Sequence, residues 1–236
     1  MQAIIHREAD RGTKDIGWLL SKFSFSFSSY QNPARNGFGL LKALNDDRVN
    51  VGGGFGLHAH TNMEIISIML QGKMTHKDNL GYAETVEKNW VQIMSAGTGI
   101  RHEEHNVGEE EVRFLQIWIE PKLQNISPRY QKRYFPKEKR KNKLETIISN
   151  REGTAHCWIN QNAKVSLGWF EAGKEVAYNI DEINKCIYIF VLSGSINIGN
   201  ETIGARDGFG IWDNNNLKMN INDETEFVLL EIPINH

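Results

Sequence analysis

The sequence predicts an all-β protein of two tandem β-barrels, and three observations carry that expectation. Apolar residues recur with period two along the chain, while helical periodicity is scarce. Clusters of Gly, Asn and Asp interrupt the apolar runs at short intervals, the pattern of many short strands joined by turns. The stretch Leu70-Gln71-Gly72-Lys73-Met74 returns 122 residues later as Leu192-Ser193-Gly194-Ser195-Ile196, about half the chain away, which suggests a duplicated unit.

Taken in order, Phe23-Ser24-Phe25-Ser26-Phe27-Ser28 reads as a strand with its rings on one face. Residues 63–70, 91–94, 112–119, 165–170, 186–192 and 226–232 read as further strands, rich in β-branched and aromatic side chains. Asp78-Asn79-Leu80-Gly81, Gly97-Thr98-Gly99 and Asp213-Asn214-Asn215-Asn216 supply turns. The 236 residues divide into a first barrel over 1–130, a basic linker over 131–145 and a second barrel over 146–236. Seven basic residues and the single acid Glu138 fall within 131–143. A solvated connector with one or two helical turns is expected there; the sharper alternative is a docking patch for DNA or an acidic protein.

Composition narrows the function. A net charge of −2 argues against a surface that grips nucleic acid directly. Two cysteines, Cys157 and Cys186, cannot form a disulfide scaffold or a four-thiolate zinc site, and are expected to be buried and inert. No signal peptide is visible at the start, and the longest apolar runs, 65–70 and 186–192, fall far short of the roughly 20 residues of a membrane span. A soluble, cytoplasmic protein without membrane contact is expected.

The informative chemistry lies in 52–106. His58 and His60 stand two apart at the head of a strand, so both imidazoles face one way. His102 and Glu104 share a face by the same rule, whereas His105 has the opposite parity. Two strands, each offering two ligands, give three nitrogens and one carboxylate oxygen. That set suits one divalent Fe, Mn, Co, Ni, Cu or Zn, and leaves open positions on an octahedral ion. His76 is expected to be structural, and Trp90, Trp118, Trp158 and Trp169 to be core. No His-x-His follows residue 106; counting back from Leu192 as from Leu70 sets Ile180 and Glu182 opposite His58 and His60, with His156 and His236 standing alone. The second barrel is expected to be metal-free.

Gly52, then His58-x-His60 and Glu64, resembles the first cupin motif, and Gly99-x-x-His102-x-x-x-Asn106 the second. Within the cupins the chain is similar to the pirins and their bacterial relatives. The resemblance runs through Gly17-Trp18-Leu19, Phe25-Ser26-Phe27, Asn45-Asp46-Asp47, residues 54–60, Met63-Glu64-Ile65, residues 76–81, residues 92–102 and Leu115-Gln116-Ile117-Trp118, and extends to Ile126-Ser127-Pro128-Arg129-Tyr130. It implies a bicupin in which His58, His60, His102 and Glu104 bind a metal, most often Fe(II), with Zn, Mn, Ni, Co or Cu as alternatives. It also implies that Glu64, the carboxylate place of ordinary cupins, is not a ligand; its parity turns it inward toward a supporting role. Ala59, where the family commonly has Pro, and Thr61-Asn62, where a charged pair is common, depart from the pattern and alter the mouth of the site. The implied activity is quercetin 2,3-dioxygenase: a flavonol and dioxygen as substrates, Glu104 as general base, ring opening and loss of carbon monoxide. The implied alternative is an iron-dependent, redox-sensing co-regulator of transcription that binds a protein partner without turnover. A sugar-isomerase-like cupin is a third reading. A monomer is expected.

Overall fold

The computed structural model describes residues 2–180, 184 and 186–234, and its regular elements are strands and three short 3-10 turns. Each half of the chain closes a seven-stranded sheet against a four-stranded one. In the first half the large sheet runs Arg129–Tyr134, Trp90–Ser95, Glu64–Gln71, Val112–Ile119, Leu41–Val49, Leu19–Phe23, Gly12–Asp15. The small sheet runs Gly54–His60, Ile100–Asn106, Lys73–Asp78, Ala83–Glu87. The second half repeats this order strand for strand. Its large sheet is Gln2–His6, Gly208–Trp212, Cys186–Ser193, Thr225–Glu231, Lys164–Phe170, Lys143–Ser149, Cys157–Trp158, and its small sheet Glu175–Asn179, Asn216–Ile221, Ile196–Ile198, Glu201–Ile203. Two all-β barrels in tandem are what the strand periodicity and the faint repeat predicted. Among the described residues no helix is long and apolar enough to cross a membrane.

One strand crosses between the halves. Gln2–His6, expected in the first barrel, pairs antiparallel with Gly208–Trp212 from Gln2↔Trp212 to His6↔Gly208. It takes in the second barrel the edge position that Arg129–Tyr134 takes in the first. An unpaired edge exposes a row of backbone donors and acceptors, and the start of the chain covers this one. Residues 131–145 contain the expected helical turn, but strands of both barrels run into the segment from either end. Arg129–Tyr134 pairs with Trp90–Ser95, a turn over Lys137–Arg140 follows Pro136, and Lys143–Ser149 already belongs to the second sheet. Five of the segment's seven cations are engaged within the chain, and Lys139 and Lys143 face solvent. Lys132 bridges to Glu84, Arg133 Nε donates to the His156 carbonyl, Lys137 and Arg140 share Glu226, and Lys141 meets Glu171.

The two large sheets stack back to back, and alternation decides what lies between them. Leu115, Ile117 and Ile119 join Ile66, Ile68, Val91 and Ile93 in a core shared with Val165, Leu167, Tyr188, Phe190, Val228 and Leu230 of the second half. The intervening residues Phe114, Gln116 and Trp118 face the interior of the first barrel. Glu64–Gln71 is covered on both faces, which is why it reads as a nearly unbroken apolar run. The 23–28 segment departs from expectation: the strand stops at Phe23, and the chain turns through bonds from Ser24 N–H to the Leu44 carbonyl and Ser26 N–H to the Arg35 carbonyl. The rings part company. Phe25 packs on Tyr188 in the shared core, ring centres 5.4 Å apart, while Phe27 meets Trp118 edge-on at 5.0 Å inside the barrel.

Candidate metal centre

Strand Ile100–Asn106 lies in the middle of the first barrel's small sheet and buries Ile100, His102, Glu104 and Asn106 on one face. On one side His102 pairs with His58 and Ile100 with His60; on the other His102 pairs with Asp78 and Glu104 with His76. A bulge between His102 and Glu104 sets three residues of this strand, 102–104, against the four from His58 to Phe55. Gly54 permits the approach at that point, since a Cβ there would come within 2.6 Å of the Glu104 carbonyl oxygen.

Three imidazoles converge. Ring centres lie 4.3 Å apart for His58 and His102, 4.8 Å for His58 and His60, and 5.1 Å for His60 and His102. Nε2 of His60 sits 3.1 Å from Nε2 of His102. Two nitrogens each about 2.1 Å from one ion, at right angles, lie about 3.0 Å apart, so this pair already has the spacing of neighbouring ligands. Burial holds both His60 and His102 down to about 4, so their lone pairs are free at neutral pH. His58 Nδ1–H donates to the Gly56 carbonyl at 2.7 Å, which fixes the tautomer with the lone pair on Nε2.

Glu104 is one step deeper. His58, His60 and His102 form one group able to hold a metal, and His76, His102 and Glu104 a second, with ligand atoms within 4.8 Å in each; His102 belongs to both. Gln92 Nε2 donates to Glu104 Oε1 at 2.6 Å, and His76 Nδ1 lies 3.8 Å from the same oxygen. Burial pushes the Glu104 carboxyl up, but His76, His102 and Gln92 together outweigh it and leave a carboxylate below its usual range. His76 is fully buried between Asp78, 2.9 Å from its Nε2, and Glu104. Burial disfavours its charge, yet the two acids more than compensate and raise it. Tyr130 stacks on His76 with ring centres 4.4 Å apart and donates to Gln92 Oε1 at 3.0 Å.

Several of these partners escaped the sequence reading. His76-x-Asp78 on one strand face, and Gln92 inside the apolar run Val91–Met94, were the available signals. Trp118, expected as plain core, stands edge-on to His60 at 5.2 Å. Cross-strand pairing places Gln92, Ser67, Gln116 and Asn45 in one polar row along the barrel wall, and Asp47 two residues beyond Asn45 on the same face. Asn45 Oδ1 and Asp47 Oδ1 are buried without a hydrogen-bond partner. Burial pushes Asp47 up to about 7, and Glu104 adds to the rise.

Glu64 faces inward but away from the imidazoles: its Oε2 accepts from Ser95 Oγ at 2.7 Å and from the Asn160 backbone N–H of the second half at 3.2 Å. The departure at Thr61-Asn62 has a structural use. Asn62 adopts a left-handed φ of 47°, and its side chain accepts from Asn125 N–H at 2.7 Å, pinning the turn after His60 to the loop beyond Trp118. His105 points out, 3.7 Å from Glu103. Both cysteines are buried, and burial raises Cys157 to about 11 and Cys186 to about 12.

Register also locates the corresponding place in the second barrel. Ile196 pairs with Ile221 as Met74 pairs with Asn106, so Leu217 stands where His102 does, and its partner Tyr178 where His58 does. Ile180 and Met219 take the places of His60 and Glu104. Counting back from Leu192 set Ile180 opposite His58, two residues out of step, because the connection after Ile180 is longer than the one after His60. Glu182 and His236 lie outside the described residues.

Known proteins place the chain. The pirin family profile matches residues 5–119, and the profile described as the quercetinase C-terminal cupin domain matches residues 146–232. A putative quercetin 2,3-dioxygenase of Pseudomonas aeruginosa is 36% identical over 231 residues, covering 97% of this chain and 99% of that protein. The quercetin 2,3-dioxygenase of Escherichia coli K12 is 33% identical over 230 residues, 97% and 98% of the two chains. The crystal structure of the bacterial pirin YhhW from Escherichia coli in complex with nickel(II) superposes with a TM-score of 0.93 at 31% identity, covering 98% of this chain and 99% of that one. With its two all-β cupin barrels, the chain belongs to the pirin family.

Proposed function

We propose that His58, His60, His102 and Glu104 hold one divalent metal ion, Fe(II) first among the candidates, and that the protein is a dioxygenase cleaving flavonols such as quercetin across the 2,3 bond with release of carbon monoxide. The observation that carries the reading is the 3.1 Å approach of the His60 and His102 nitrogens, both neutral, beside His58 and above a buried carboxylate. The quercetin 2,3-dioxygenase name of an Escherichia coli relative and the nickel complex of a pirin support it. When bound, the ion supplies a Lewis acid that lowers the pKa of a coordinated hydroxyl.

The chain's own residues do the rest. Glu104 takes the 3-hydroxyl proton; Gln92 and Tyr130 hold its carboxylate in place, and His76 stabilises its charge. Trp118 and Phe27 form an aromatic wall against His60 that receives a flat ring and keeps out water. Asn45 Oδ1 and Asp47 Oδ1 accept hydrogen bonds from the hydroxyls of a polyphenol, which gives two otherwise unpaired buried acceptors a use. Docking through 131–143 has no comparable support: five of its seven cations, Lys132, Arg133, Lys137, Arg140 and Lys141, are engaged internally.

The test is oxygen uptake and carbon monoxide release with a flavonol panel, on protein stripped with a chelator and reloaded with each divalent metal. Turnover that returns with at least one metal is expected. Metal uptake without turnover of any flavonol would refute the dioxygenase reading and leave the metal site standing.

A further inference from the structure

We propose that the mouth of the second barrel is a separate binding site for a small hydroxylated carboxylate. It lies where the first barrel carries its metal centre, yet it is furnished differently. Tyr178 takes the place of His58. Glu231 pairs with Ile187 as Trp118 pairs with Ile65, so an acid stands where Trp118 backs His60. Lys164, the other cross-strand partner of Glu231, stands where Ala43 does. A cavity of about 650 Å³ opens at this point, lined by Ser149, Arg151, Lys164, Asn184 and Glu231 among others. That volume lies within the roughly 300–1,000 Å³ of small-molecule sites.

The lining specifies the ligand. Glu231 is a fixed acid in the floor: 1% exposed, it accepts from Tyr178 Oη at 2.5 Å and from Asn184 Nδ2 at 3.1 Å, with Lys164 Nζ at 3.4 Å. Asn184 Oδ1 is buried and accepts nothing from the described residues, so it calls for a donor, such as a ligand hydroxyl. At the rim Arg151 makes no ion pair among the described residues, and its guanidinium suits a carboxylate bound through both oxygens. Among the described lining residues Lys164 offsets Glu231, which leaves the Arg151 guanidinium as the uncompensated charge. A monoanion with its carboxylate at Arg151 and a hydroxyl on Asn184 matches both ends. Sugar acids and hydroxybenzoates share that chemistry.

The test is calorimetric titration of the full-length, metal-loaded protein with gluconate and with 3,4-dihydroxybenzoate. Binding of at least one acid is expected, weakened at least about tenfold by Arg151→Glu, which removes the partner of the carboxylate and reverses its charge. The same affinity in His58→Ala is also expected, since the first barrel takes no part. Tighter binding of gluconate assigns the site to sugar acids, and of dihydroxybenzoate to phenolic acids. No binding of either acid at millimolar concentration, binding indifferent to Arg151→Glu, or binding lost in His58→Ala would overturn the proposal.

Discussion

Glu64→Gln isolates one buried acid at the junction of the two barrels. Its carboxyl is 1% exposed, receives hydrogen bonds from Ser95 and from Asn160 across the junction, and leaves Oε1 without a partner. Burial raises it from 4.5 to about 7, against the smaller opposing effects of Ser95, Asn160 and Arg129. Between those two values the folded chain keeps a proton that the unfolded chain has released, so stability falls as pH rises through the window. At about 1.4 kcal/mol per unit, the full effect is about 3 kcal/mol above pH 7. Glutamine keeps an oxygen for Ser95 and Asn160 and carries no charge to bury. Urea denaturation of both proteins at pH 5 and pH 8 measures the difference. Glu64→Gln should gain about 2–3 kcal/mol on wild type between the two pH values. Parallel pH profiles would mean that Glu64 ionises freely in the folded protein, and the account of the junction would fail.

Four other outcomes follow from the same geometry. Glu104→Gln should stop flavonol cleavage while oxygen, nitrogen and Gln92 contacts keep the barrel folded; near-normal turnover would remove it as the base. Asp47→Ala should raise KM for flavonols more than it lowers kcat, and should do so least for flavonols with fewest hydroxyls, as steady-state kinetics on a hydroxylation series would show. Removing residues 1–6 uncovers the edge of Gly208–Trp212 and empties the contact of His6 with Phe25 and Tyr188, so thermal melting should drop and light scattering rise. Burial holds His6 at about 4, so the unfolded chain binds a proton there between about pH 4 and 6.5 that the folded chain refuses. Stability should fall as pH drops through that window, and the urea midpoint of His6→Leu should lose that part of the slope.

Much of the site was legible because a strand's period is two. The parity of His102 and Glu104 against Glu103 and His105 holds through Ile100–Asn106, and the bulge opposite it falls between His58 and Phe55, where it does not disturb the His58–His60 pair. Strand bounds such as 112–119 were equally plain, since six of its eight residues are apolar and a run of acids, Glu109 to Glu111, stands just before it. What was hidden depends on contacts distant in sequence. Nothing in Gln2–His6 says that it will pair more than two hundred residues away. The rings of Phe23, Phe25 and Phe27 alternate as in a strand, but Phe25 is drawn into the core between the barrels, and the backbone turns to deliver it. His76 became part of the site through its neighbours Asp78 and Glu104 on adjoining strands, a relation that appears only once the register is known.

Metal stoichiometry tests the central claim most directly. Elemental analysis of the purified, reloaded chain should find one divalent ion per molecule, and His60→Ala, which removes the nitrogen 3.1 Å from His102 Nε2, should lose it while circular dichroism still reports the intact β fold. One ion retained at full occupancy in that variant, or none bound by the wild-type chain, would contradict a site built on these imidazoles.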